Sequence, residues 1–271
     1  MAQRAHRGLV ALLVIALAVA GIAVGARQLW HAAQSAVRAD GCDFGDYDLD
    51  LGQAEVASTV VGVVLRRRLA ERAAVLTLGA ALQESKLRNL PAGAGDRDSV
   101  GILQQRPSQG WGTAEQLANV QYATGKFLDA LVRVPKWQSD SLATVIQAVQ
   151  FSADGTAYAR HEAQAQQIAD ALTGVKPMAV SCSFAKPTVV ASPGSVAKAV
   201  STDLPVTPTK LTGRSITVTG AGWATAAWFV CNADRLGIDT VRYFGNSWSR
   251  TKGWRADDAA STSGVTATLA G

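Results

Sequence analysis

Positions 8–25 read GLVALLVIALAVAGIAVG, an apolar run without a charge; beyond it apolar residues come at spaced intervals. As a helix, at ~1.5 Å per residue, that run is about 27 Å long, close to the hydrocarbon thickness of a bilayer. Arg4, His6 and Arg7 precede it. Basic flanks stay in the cytoplasm, so the run predicts a single-pass transmembrane signal-anchor over 1–27 with the body of the chain outside the cell membrane. Ala23-Val24-Gly25-Ala26 leaves open a second reading, a signal peptide whose cleavage gives a secreted product. Residues 28–50 follow as a juxtamembrane stalk.

From about 51 to 173 the spacing is helical, within a domain expected over 51–182. Residues 53–67 and 71–85 each predict a helix. Thr113 with Gln116 makes a capping box. After it Val120, Ala123, Phe127, Leu128 and Leu131 recur on one helical face, as do Leu142, Val145, Ile146 and Val149. Residues 157–172 predict a last helix, with Gly174 as its stop. Between 87 and 112 the periodicity fails, and Gly, Pro and Asp accumulate. A long irregular stretch inside a compact domain is usually functional.

Residues 183–212, rich in Pro, Ser, Thr and Val and without an amphipathic period, read as an extended linker. Strands are predicted at 215–219, 240–243, 247–249 and 265–269, and a helix at 223–236. The fold expected is a mainly α domain behind one transmembrane helix, followed by a linker and a small α+β domain at 213–271. That last domain holds Trp223, Trp228, Trp248 and Trp254. Exposed aromatics bind polysaccharide, but a small domain also needs large side chains for its own core, and at least two of the four are assigned to it. Envelope proteins are its possible partners.

The chain has 271 residues, 48% hydrophobic and 17% charged, which excludes wholesale disorder. Its net charge of +5 hints at an anionic partner, yet Arg4, Arg7 and Arg27 fall in a leading segment with no acid. The rest is near neutral and offers no basic groove, so nucleic acid is not an expected partner. The three cysteines, Cys42, Cys182 and Cys231, contain no CxxC. Cys42 and Cys182 bracket the helical region, and a disulfide there would close its ends for about 4–5 kcal/mol in the chain-entropy model. Cys231, among Trp228, Phe229 and Val230, reads as a buried small hydrophobe. The scattered histidines give no metal-ligand spacing, His161-Glu162 is not part of an HExxH motif, and no cofactor is expected.

Residues 82–112 read LQESKLRNLPAGAGDRDSVGILQQRPSQGWG. Glu84 ends an apolar helix, where withdrawal from water disfavours the charged carboxylate and can hold a proton near neutral pH. That property suits protonation of a glycosidic oxygen. Asp96 and Asp98 lie in the following loop and could fold back across a cleft. Composition alone favours the plainer reading, a Glu that merely ends a helix and two solvated loop aspartates.

The order Glu84-Ser85, Gly95-Asp96-Arg97, Gly101-Ile102-Leu103-Gln104 resembles the goose-type lysozyme and soluble lytic transglycosylase superfamily. The first motif there is Glu-Ser at a helix end and the second is Gly-Leu-Met-Gln. The run GDRDSVGILQQRPSQGWG is similar to a domain of exported actinobacterial cell-wall proteins. The resemblance covers roughly 50–173. It implies a lysozyme-like fold, peptidoglycan glycan strands as substrate and cleavage of the MurNAc–GlcNAc bond. Glu84 matches the general acid and Asp96 an acid that positions water. Ser85, of the first motif, is expected with Asp98, Gln104, Trp111 and Phe151 to bind the substrate, and Gln104, with Gln105, could bond acetamido groups or brace the loop. Trp111 could stack on a sugar ring or anchor the loop.

The sequence also departs from that pattern. A second goose-type aspartate falls at about Arg106, for which Asp98 could substitute. The third motif, Ala-Tyr-Asn, falls at Gln150-Phe151-Ser152, where Phe151 keeps the ring without the hydroxyl. Tyr158 could line the cleft, but its helical spacing with Ile168 and Leu172 favours the core. Two routes are therefore open. Inverting hydrolysis needs carboxyls roughly 6.5–9.5 Å apart, whereas Glu84 acting as acid and then base gives an anhydro-sugar. A different class of function is also open, a catalytically degenerate module that binds glycan or scaffolds an envelope complex.

Overall fold

The computed structural model describes residues 40–150, 155–187 and 189–271. Strands β1 (Gly41–Asp43) and β2 (Asp48–Leu49) form a short hairpin, followed by helices α1 (Leu51–Arg66) and α2 (Glu71–Ser85). After the irregular stretch come α3 (Ala114–Leu117), α4 (Val120–Leu131), α5 (Leu142–Gln150) and α6 (Glu162–Thr173). Strand β3 (Ser181–Ser183) pairs antiparallel with β1, and Cys42 sits directly opposite Cys182. The two are joined in a disulfide across a sequence separation of 140.

Local sequence explains the helices. Asp50 caps α1 by accepting from Gln53 N, while the Gln53 side chain accepts from Asp50 N. Helix α2 is buried without a break from Ala73 to Leu82. A helix apolar on every side belongs at the centre of a fold, and α1, α4, α5 and α6 surround it.

The second half begins with α7 (Pro193–Asp203), β4 (Lys210–Thr212), β5 (Ser215–Thr219), α8 (Trp223–Cys231) and α9 (Ala233–Leu236). Strands β6 (Ile238–Tyr243), β7 (Asn246–Ser249), β8 (Gly253–Ala256) and β9 (Gly264–Leu269) complete it. The six strands make one antiparallel sheet in the order β4-β5-β9-β6-β7-β8. Ile216, Val218, Val241, Trp248, Val265 and Ala267 share its buried face, as period-2 alternation requires.

The expected fold class needs correction. The described residues are 45% helical with 17% strand in two antiparallel sheets, and the sheets share one core with the helices. Helix α8 packs on β6 and β9 and also on α1 and α6. All of Thr225–Cys231 is buried, which leaves no solvated face between two separate domains. Nor is 183–212 a plain linker. Ser192 caps α7, Pro193 takes its first turn, and Val196 and Val200 are buried. Gly62 of α1 faces the end of α7 so closely that a Cβ there would lie 2.6 Å from the Asp203 carbonyl oxygen. Gly174, at φ +81, ends α6 against α8, where a Cβ would meet Ala224 N at 2.7 Å. Among the described residues no helix is long and apolar enough to cross a membrane; the run at 8–25 lies outside them.

The C-terminal tryptophans serve this core. Trp228 and Trp248 are fully buried. Trp223 and Trp254 meet edge-to-face at 5.5 Å, and Trp254 Nε1 donates to Val180 O just before β3. Cys231 is buried and unpaired, and burial pushes its thiol well above the ordinary range.

Candidate active site

Helix α2 ends sharply. Lys86 and Leu87 both take left-handed backbone, at φ 55 and 59, and Leu87 turns fully into the core. The loop beyond is folded back by Ile102 and Leu103, both fully buried. Ser85 Oγ donates to Ile102 O at 2.7 Å and is itself buried. Ser85 thus ties the helix end to the loop, which links the Glu-Ser and Gly-Ile-Leu-Gln segments; it does not face the cleft. Gly101 is required here, since at φ +79 a Cβ would lie 2.4 Å from Leu117 O.

These turns leave Glu84 half-buried on the wall of a cleft of about 760 Å³. Tyr158 Oη donates to Glu84 Oε1 at 2.5 Å. Burial pushes the Glu84 carboxyl above its ordinary value, against the opposing hydrogen bonds from Tyr158 and Gln150. Gln150 Nε2 also donates to Leu103 O at 2.9 Å, so it joins α5, the loop and the carboxyl. Tyr158 is 1% exposed. The core placement expected of Tyr158 holds, and the same buried position also brings its hydroxyl to the candidate acid.

Asp96 lines the same cleft, but its side chain is 87% exposed and its ion pair with Arg97 spans 3.7 Å. Asp98 is placed differently. It accepts from Arg106 Nε at 2.8 Å, Ser108 N at 2.7 Å and Ser108 Oγ at 3.0 Å. These bonds, that from Arg106 foremost, hold its carboxyl well below the usual range. Both oxygens are engaged in bracing the loop, and Asp98 is not part of the cleft lining. Arg106 partners Asp98 and so has a structural use.

Gln104 lines the cleft at φ 46 and donates from Nε2 to Gly101 O at 2.9 Å, bracing the loop. Gln105 is buried and donates to Ala123 O at 3.3 Å. Trp111 lines the cleft and packs partly on the core. Phe151 lies outside the described residues. No metal-holding group of His, Cys, Asp and Glu occurs among the described residues.

No protein-family model matches the chain, and no curated protein matches its sequence. The chemistry of the site therefore rests on its geometry. It offers one half-buried carboxyl, protonated to higher pH than usual, a phenol and an amide fixing it, and an open polar cleft in front.

Proposed function

We propose that this chain is a peptidoglycan glycosidase of the lysozyme-like kind, cleaving the MurNAc–GlcNAc bond outside the cytoplasm with Glu84 as general acid. The observation that carries the reading is the Glu84 carboxyl, raised by burial and held by Tyr158 on the wall of the cleft. A carboxylic acid that keeps its proton toward neutral pH can deliver it to a leaving oxygen. The Cys42–Cys182 disulfide supports an oxidising compartment.

Of the two routes, the arrangement favours lytic transglycosylation. Inverting hydrolysis wants a second carboxylate held across the cleft. Asp96 is exposed and Asp98 is engaged elsewhere. In the favoured route Glu84 gives its proton to the glycosidic oxygen as the bond from C1 breaks. Its carboxylate then takes the proton of the muramoyl C6 hydroxyl, whose oxygen bonds to C1 and closes the anhydro ring. One carboxyl supplies both steps.

The test is digestion of purified sacculi by wild-type protein and by Glu84→Gln, with mass spectrometry of the products. Anhydro-muropeptides from wild type and none from the variant support the reading. Reducing-end products would replace transglycosylation by hydrolysis. The same lack of a fixed second carboxylate favours, as a second reading, a degenerate glycan-binding or scaffolding module; sacculi bound but uncut by wild type would select it.

A further inference from the structure

A second cavity of about 400 Å³ opens between α1, α4, α7 and α9 and shares no lining residue with the Glu84 cleft. Asp203 lines it and is 4% exposed. Its carboxylate accepts from Gln121 Nε2 at 2.9 Å, Trp228 Nε1 at 2.9 Å and Thr59 Oγ1 at 3.4 Å. All three donors are neutral. No salt bridge reaches Asp203 among the described residues, so a cation placed in the cavity would add a charge-assisted contact there.

Glu55 lines the same cavity and pairs with Arg235 at 3.1 Å. Burial raises the Glu55 pKa, Arg235 lowers it, and Asp203 and Asp234 raise it. The two carboxylates thus feel each other at one cavity, and the Arg235 guanidinium pairs with Glu55, not with Asp203. The rest of the lining is mixed. Val56, Val120 and Ala199 are apolar, and Lys198 is an exposed cation. An acidic end, an apolar wall and a separate cation match one kind of ligand, an aliphatic chain with an ammonium at one end and a carboxylate at the other.

We propose that this cavity binds a lysine-type residue, its ammonium on Asp203 and Glu55, its methylenes along Val56 and Val120, its carboxylate on Lys198. The assignment does not depend on the chemistry of the Glu84 cleft. A wall-derived peptide and a protein C-terminus can both carry such a residue.

Titration calorimetry of the full chain with Nα-acetyl-L-lysine tests it. Saturable one-to-one binding is expected, with no binding of Nε-acetyl-L-lysine, which lacks the ammonium. Glu55→Gln should weaken binding at least about tenfold, the loss of one charge-assisted contact. Ala199→Leu, which fills the cavity from a partly buried position on α7, should abolish binding, with far-UV circular dichroism and a thermal melt showing that the variant is folded. Lys198→Ala should weaken it too; tighter binding would mean that Lys198 itself occupies the acidic end, and would overturn the proposal. Absence of binding at millimolar Nα-acetyl-L-lysine, or equal binding of both acetyl-lysines, would also overturn it. L-Ala-γ-D-Glu-L-Lys and L-Ala-L-Ala-L-Lys separate the sources. Tighter binding of the first assigns the cavity to a wall peptide, and equal binding to the lysine alone.

Discussion

The phenol of Tyr158 reaches the carboxyl of Glu84 over 2.5 Å of space and 74 residues of sequence. The hydrogen bond favours the ionised carboxylate, whereas burial favours the acid, and burial is the larger effect. Removing the phenol hydroxyl should therefore raise the Glu84 pKa further. In Tyr158→Phe the alkaline limb of the pH–rate profile is expected to move to higher pH. The rate at the optimum should fall roughly tenfold, since a hydrogen bond to a charged group contributes about 1.5–3 kcal/mol. Sacculus clearing measured across pH checks both effects, and a limb that moves down would reverse the sign argued here.

Glu84 also has a stability signature. Its folded pKa lies above the ordinary 4.5, so the native state holds the proton more tightly than the unfolded chain. The cost of burying the carboxylate begins as pH rises past about 4.5 and is complete above the folded pKa. Glu84→Gln should melt above wild type near neutral pH, and the two should converge in acid. Thermal melts at a series of pH values decide it; a gap independent of pH would remove burial as its cause.

The two loop aspartates should behave oppositely. Asp98→Asn disrupts the bonds to Arg106 and Ser108, so amide exchange over 96–109 should accelerate and substrate affinity fall. The depressed Asp98 pKa keeps the brace intact down to pH values well below the usual carboxylate range. Asp96→Asn should leave exchange unchanged and anhydro-product yield within about twofold of wild type, because nothing fixes Asp96 as a base. A loss as deep as that of Glu84→Gln would restore inverting hydrolysis.

Gly62→Ala tests the shared core. A Cβ placed 2.6 Å from the Asp203 carbonyl forces α1 and α7 apart, at about 1–3 kcal/mol by the usual cost of overpacking. The urea midpoint should drop at constant slope. A free linker at 193–203 would give no change.

Much of the fold was legible where elements are long and periodic. Helix 71–85 and strand 215–219 fall where the sequence predicts them. The predicted helix at 223–236 is two helices, divided at Asn232. Strands β1, β2 and β3 are two or three residues long, too short for alternation to register. Helix α7 was hidden by its composition, although Ser192 before Pro193 and the spacing of Val196, Val200 and Leu204 were available signals. The single core was written in α8, whose WATAAWFVC has no polar face. At the site, Glu84 stood out by its helix end. The Asp98–Arg106 brace did not, because nothing local distinguishes a loop aspartate that meets an arginine from one that meets solvent. Tyr158 carried a core spacing that concealed its hydroxyl.

The Cys42–Cys182 bridge encloses every element from β2 to α6, and with them the Glu84 cleft. A protease that cuts once anywhere in this enclosed segment therefore severs the backbone without releasing a fragment. Both pieces stay covalently joined, and the half carrying Glu84 stays tied to the half carrying Tyr158 whenever the cut falls between them. A nicked molecule would run as one band until reduced and as two afterwards. In an environment rich in proteases, the candidate catalytic pair can lose chain continuity and still remain one molecule.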